Sequence, residues 1–161
     1  MITEKEKEVL SLLEKLNIAY TRHEHPPVYT VEEASRYYDG MKGAQCKNLF
    51  LRNAKGDRHY LVILEDSKRA DLKGLAEKVG ESKLSFASPR RLLKYLGVEP
   101  GSVSPFGLIH DLEKEVVVVI DKDLLQDEWI NFHPNVNTAT LTISVNDFMR
   151  FLEYCGNRVI I

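Results

Sequence analysis

The hydrophobic positions of this chain follow two rhythms, and the switches between them mark out its elements. Over residues 3–16, Val9, Leu10, Leu12, Leu13 and Leu16 recur at helical spacing and Thr3 with Glu6 forms a capping box, so an amphipathic helix is expected first. Residues 18–25 alternate as a strand does and are ended by Pro26-Pro27. Thr30 with Glu33 is placed to cap a second helix running through Tyr38. Two strand-like runs, 46–52 and 58–64, flank Asn53-Ala54-Lys55-Gly56-Asp57 and read as a hairpin, and a short helix is expected near 71–79. Ser88 followed by Pro89 opens another helix, which carries Arg90, Arg91 and Lys94 before Gly97 stops it. Beyond a Gly-, Ser- and Pro-rich loop at 99–107, residues 116–120 and 138–143 read as strands. Ser144 with Asp147 caps a last helix over 145–154, and 158–161 adds a final short strand.

Helices and strands are interspersed without regular βαβ alternation and include a hairpin. The expected class is therefore α+β, a single domain over residues 1–161 with a mixed β-sheet and flanking helices. Composition agrees: 161 residues at 43% hydrophobic and 29% charged can bury one core, and 9 Gly with 6 Pro exclude collagen-like or low-complexity character. The longest apolar run, 116–120, is strand-sized, so no membrane span is expected. Met1-Ile2-Thr3-Glu4-Lys5 leads into no apolar signal region, and a cytoplasmic protein is expected. Cys46 and Cys155 stand far apart in the sequence and match neither a metal knuckle nor a disulfide framework; both read as reduced thiols.

Charge changes this picture locally. The net charge is −2, yet residues 68–94 hold eight basic side chains against three acidic ones, a charge of +5 that leaves −7 elsewhere. A polyanion would have to meet this one basic surface. A solvated helix face is the competing explanation.

The usual signatures of serine hydrolases, zincins and nucleotide-phosphate cradles are absent: no GxSxG, HExxH, GxxxxGK(S/T) or GxGxxG occurs. His23 and His25 have strand spacing that could ligate a metal but lack a neighbouring Cys or acidic cluster, so no metal and no cofactor are expected. Lys47 is more informative. It shares a strand face with Leu49 and Leu51 while Asn48 shares the other with Phe50, and a cation heading an apolar strand is either an edge lysine snorkelling to water or a fixed ammonium for an anion. Gly101-Ser102-Val103-Ser104-Pro105-Phe106-Gly107 suits either a surface turn or a loop whose backbone approaches a ligand. Phe132-His133-Pro134-Asn135-Val136-Asn137 places an imidazole and two amides just before a strand.

Together these segments resemble the YbaK/prolyl-tRNA synthetase-associated family of editing domains, which are aminoacyl-tRNA deacylases. The resemblance rests on His25-Pro26-Pro27 ahead of Thr30-Val31-Glu32-Glu33-Ala34, on Lys47-Asn48-Leu49-Phe50-Leu51, on the Gly101 to Pro105 loop running into Phe106-Gly107-Leu108, and on Phe132-His133-Pro134 with Asn137-Thr138-Ala139-Thr140. It covers nearly the whole chain. The residues after Pro105 and the His133-Pro134 and Asn137 element are similar to the free-standing branch that clears alanine from proline tRNA (ProXp-ala, or PrdX) rather than to the branch that acts on cysteine. A deacylase for Cys or Ser, or a non-catalytic tRNA-binding regulatory module, are the alternatives.

What the resemblance implies is metal-free hydrolysis of mischarged Ala-tRNA(Pro), assisted in the family by the vicinal ribose hydroxyl. It implies Lys47, Gly101 and His133 in the chemistry, and His25, Asn48, Ser102, Ser104, Pro105, Phe106, Gly107 and Asn137 around the substrate. The acceptor stem would lie on Lys68, Arg69, Lys73, Arg90, Arg91 and Lys94. The partner would be tRNA(Pro), with transient contact to prolyl-tRNA synthetase or an elongation factor, and the protein would act as a monomer.

Overall fold

In a computed structural model, which describes residues 2–28, 30, 32–33, 36–37 and 41–161, the capping signals hold almost to the residue. Helix α1 spans Glu4–Lys15, with the Thr3 hydroxyl accepting from the Glu6 N–H at 3.3 Å, and buries Val9, Leu10 and Leu13. Its carboxyl end explains why the first strand is shorter than the sequence pattern implies. The Ile18 N–H bonds back to the Leu13 carbonyl at 2.8 Å, so residue 18 finishes the helix and β1 covers only Thr21–Glu24. Glu6, fully buried, is neutralised by Arg22 of β1, whose Nη2 lies 3.2 Å from Oε1. The Thr30 cap is present, donating partner Glu33 N–H at 3.0 Å, but most of the helix expected through Tyr38 lies outside the described residues.

The remaining strands are β2 Cys46–Asn53, β3 His59–Glu65, β4 Leu84–Phe86, β5 Val116–Ile120, β6 Trp129–Phe132, β7 Ala139–Ser144 and β8 Val159–Ile160. The helices are α2 Leu72–Val79, α3 Pro89–Leu96 and α4 Val145–Cys155, with 3₁₀ turns at Pro105–His110 and Lys122–Gln126. The α+β class with mixed pairing and flanking helices stands, but the strands divide between two sheets instead of forming one. Five strands, in the order β4-β2-β3-β5-β8, combine antiparallel pairing around β2 with parallel pairing on both sides of β5. Three strands, β1-β7-β6, form an antiparallel sheet. One parallel bridge, Ala44 to Ile130, joins the two at the start of β2.

The five-stranded sheet is covered on both faces. Leu61, Ile63, Val118 and Ile120 enter the main core with α1, α3 and α4, while Leu51, Tyr60, Val62 and Val119 pack under α2. That explains why β3 and β5 read as continuous apolar runs rather than alternating ones. The loop expected at 99–107 is partly a 3₁₀ helix, held against α3. His110 Nδ1 donates to the Leu96 carbonyl at 2.7 Å, and its Nε2 lies 2.6 Å from Glu8 of α1.

Candidate functional site

The Gly101 loop and strand β2, 53 residues apart in sequence, share a cavity of about 300 Å³ whose walls include Asn48, Phe50, Phe86, Pro100, Gly101 and Val103. Strand alternation gives β2 its role. Asn48 and Phe50 face this side, Phe50 belonging to the main core, whereas Lys47 lies on the face of Leu49 and Leu51. Gly101 has φ 90°, a region that L side chains rarely adopt, so its backbone can stand bare at the cavity wall.

The second half of the loop works differently from the expectation that it contacts substrate. Ser102 is buried with its N–H on the Glu99 carbonyl at 3.0 Å, and the Ser104 hydroxyl accepts from the Phe106 N–H at 3.0 Å, capping the 3₁₀ turn. Pro105, Phe106 and Gly107 are buried. Phe106 meets Phe132 and Phe151 edge-on at centroid distances of 6.0 and 5.1 Å. These side chains go to the core because an apolar turn packs there at no polar cost, leaving Pro100, Gly101 and Val103 as the cavity-facing part.

Lys47 is half-buried at the start of β2 and makes no ion pair among the described residues. The carboxyl that feels it is Asp66. Burial and a hydrogen bond shared with Glu65 push Asp66 up to about 6, against the pull of the Lys47 charge. The neighbouring Asn48 has a buried Oδ1 with no hydrogen-bond partner among the described residues, which in a native site marks a group kept for a ligand or water.

Phe132 carries the Gly101 loop to the third element, His133. Because Ala44 and Ile130 pair in parallel, β2 and β6 run forward side by side, and Lys47-Asn48 and His133 leave the junction in the same direction. His133 Nδ1 donates to the Ala139 carbonyl at 2.9 Å, which puts the lone pair on Nε2, and that nitrogen has no partner among the described residues. Burial, together with nearby His25, holds His133 below the usual imidazole range. His25 stands 5.9 Å away between ring centroids and stacks on Tyr37 at 5.5 Å. Its Nδ1 donates to the Pro26 carbonyl, so Nε2 accepts from Thr140 at 2.9 Å. The Asn137 amide donates to the Val28 carbonyl at 3.3 Å and ties down the segment after β1.

His23 bonds Thr142 at 3.1 Å, so each member of the His23/His25 pair is taken by a threonine of β7. Among the described residues no group of three or more His, Cys, Asp or Glu is placed to hold a metal. Two residues outside the expected site set stand out: Phe86, on the cavity wall, and Asn135, read from the sequence only as one of two amides before a strand. Asn135 is buried at φ 62° with both side-chain polar atoms unpartnered among the described residues. The amide was visible in the sequence; its left-handed backbone was not.

The six expected tRNA-binding cations separate into two groups. Arg69, Lys73, Arg90 and Lys94 are exposed. Lys68 is paired with Asp121 and Asp123 at 2.8 and 2.7 Å, and Arg91 donates to the Gly56 carbonyl at 2.8 Å and to His59 Nε2 at 3.0 Å. These two serve the chain's own architecture, because each finds buried or half-buried acceptors that compete with any external phosphate.

The cavity brings a bare glycine backbone and an unpartnered amide together, whereas His133, His25 and Asn137 are not among its walls and gather at the end of the three-stranded sheet. The profile of the aminoacyl-tRNA editing domain matches residues 25–151. The chain belongs to the aminoacyl-tRNA editing family. Prolyl-tRNA editing protein ProX of Acetoanaerobium sticklandii is 46% identical over 149 residues, covering 92% of this chain and 91% of that protein. Prolyl-tRNA synthetase associated domain-containing protein 1 of Danio rerio is 38% identical over 149 residues, covering 91% of this chain and 80% of its own. A solved structure described as a candidate trans-editing enzyme for prolyl tRNA synthetase superposes with a TM-score of 0.74 at 23% identity, over 99% of this chain and 96% of that one, a likeness of fold. Editing is hydrolysis of the ester that joins amino acid to tRNA, so an editing-family chain is an aminoacyl-tRNA hydrolase. Among the described residues no helix is long and apolar enough to cross a membrane.

Proposed function

We propose that this chain is a free-standing editing enzyme that hydrolyses alanine from mischarged proline tRNA in the cytoplasm. The observation that carries the reading is the shared cavity: Asn48 and Gly101 meet in about 300 Å³ with Phe50, Pro100 and Val103 closing it. Its walls are apolar, as a small aliphatic side chain requires, and the second sieve of an editing scheme would turn proline away here by the shape that Phe50, Pro100 and Val103 give the wall rather than by total volume. The naming of the 46% identical relative as a prolyl-tRNA editing protein supports the choice of tRNA.

The ester is already activated, so the enzyme has to hold it, place water and stabilise the tetrahedral oxyanion. Gly101 offers backbone at the wall, and Asn48 offers a buried oxygen to the alanine ammonium. His133 Nε2 is a ready acceptor for the attacking water or a ribose hydroxyl, its ring fixed by Ala139. Lys47, on the other face at the strand's edge, supplies the cation for the terminal phosphate. Water adds to the carbonyl carbon, the bond to the ribose oxygen breaks, and alanine and uncharged tRNA leave.

Deacylation assays with Ala-, Cys-, Ser- and Pro-charged tRNA(Pro) test this directly. Rapid loss of alanine with proline spared is expected. Faster loss of cysteine or serine would move the assignment to another substrate, and tight binding without turnover would make the chain a binding module. Lys47→Ala is expected to slow alanine release by about 10²-fold at an unchanged melting temperature, the scale for removing one preorganised electrostatic partner. Lys47→Arg should be impaired too, since a planar guanidinium does not occupy the same compact space. Near-wild-type rates in Lys47→Ala would return Lys47 to the role of an edge lysine.

A further inference from the structure

Phe86 is 59% exposed, more than any other aromatic residue described, although it stands on a firmly held piece of backbone. It ends β4, in register with Leu51 of β2, and the next residue, Ala87, donates its N–H to the Phe50 carbonyl at 2.9 Å. Two residues further on, Ser88 caps α3 through the Arg91 N–H at 3.2 Å. The ring is therefore presented to solvent by a clamped strand end, at the wall of the cavity that Asn48 and Gly101 also line. Pro89 and Leu92 of α3 line that cavity too, and Arg90 projects from the helix's other, solvent-facing side. Lys94 is four residues on, hence on the same helix face, and both cations are exposed without an ion pair among the described residues.

A solvent-facing aromatic ring on clamped backbone, followed in the chain by a helix with exposed cations, is what a protein offers to single-stranded nucleic acid, where a base stacks on the ring and phosphates follow the charge. We propose that Phe86 is the stacking platform for the unpaired 3′-terminal base of the tRNA, with Arg90 and Lys94 holding the phosphates that precede it. The inference rests on the editing reading and adds to it a division of labour. The ring fixes the nucleoside end, whichever amino acid is attached, and the Gly101 side of the cavity chooses the amino acid.

The test combines steady-state deacylation of Ala-tRNA(Pro) with equilibrium binding of two uncharged tRNAs, one intact and one lacking its terminal adenosine. Phe86→Ala is expected to raise KM about tenfold or more, the range for removing one base–aromatic stack, with kcat within about threefold and proline still spared. In binding it should weaken the intact tRNA by the same factor and leave the truncated one unchanged. Phe86→Trp should retain wild-type affinity, whereas Phe86→Leu, apolar but without a ring face, should behave as Phe86→Ala does. Because the ring is mostly in solvent, melting temperatures should match, and Phe86→Trp guards against a folding defect. Equal binding of intact tRNA by Phe86→Ala and wild type, an equal loss for both tRNAs, or full rescue by leucine would each overturn the platform. A wild-type protein that binds tRNA but releases no alanine would overturn the editing reading instead, and the binding cycle would still judge Phe86.

Discussion

His59 illustrates how one side chain can link site, hairpin and helix. It is buried, its ring lies 5.5 Å from Phe50 and 4.1 Å from Tyr95 between centroids, and its Nε2 accepts from Arg91 at 3.0 Å. Adding a proton would set a second cation against Arg91 in a desolvated stack, and burial first, then Arg91 and Lys94, push His59 down to about 4. The unfolded chain takes up that proton near pH 6.5, so folding is favoured above this value and the contribution is lost as pH falls from about 6.5 towards 4. The lost stability amounts to at most about 3–4 kcal/mol. His59→Phe, which keeps an aromatic ring in the stack, is expected to flatten the decline in unfolding free energy between pH 6.5 and 5, measured by urea titration. Parallel curves for the two proteins would show that His59 does not couple to folding. Nothing in the sequence marked this histidine for a role, because its meaning comes from Arg91, 32 residues away.

Among the elements, the helices with side-chain caps were legible in advance. Thr3, Ser88 and Ser144 cap α1, α3 and α4 as expected, since a cap and its helix are neighbours in sequence and need no distant partner. The 3₁₀ turn after Ser104 was not legible: its Gly and Pro content reads as loop, and only its packing on α3 gives it shape. Gly107 is where the two come together. A Cβ there would stand 2.8 Å from the Leu96 Cβ and 3.0 Å from the Leu96 carbonyl oxygen, with backbone on one side that cannot swing away. Gly107→Ala is therefore expected to destabilise by about 1–3 kcal/mol, the usual cost of overpacking, read as a lowered urea midpoint. Alanine hydrolysis should fall with it, because the turn carries Gly101 on one side and Phe106 against Phe132 on the other. A variant as stable and as active as wild type would mean that α3 yields easily and that the turn does not position the loop. Strands β4 and β6, three and four residues long, were missed for a similar reason: they are too short to show a period and exist because β2 and β7 lie beside them.

For the molecule as a whole, charge is the feature that composition and structure share. The net charge of −2 coexists with a segment of +5, and the structure keeps Arg69, Lys73, Lys78, Lys83, Arg90 and Lys94 exposed while Lys68 and Arg91 turn inward. Arg90→Glu with Lys94→Glu is expected to weaken tRNA binding and reduce the slope of log affinity against log salt by about 1 to 2, since two phosphate contacts are lost, while the fold persists. An unchanged slope would make this helix face a solvated surface and nothing more. The local features of this protein, its caps, its hairpin, the two buried runs of β3 and β5 and the order of its motifs, were already written in the chain, because each depends on residues within a few positions of one another. Three others had to wait for the folded molecule: the split into two sheets, the meeting of Asn48 with Gly101, and the choice of which cations face water. They depend on burial, and burial is a property of where segments far apart in sequence come to rest against each other.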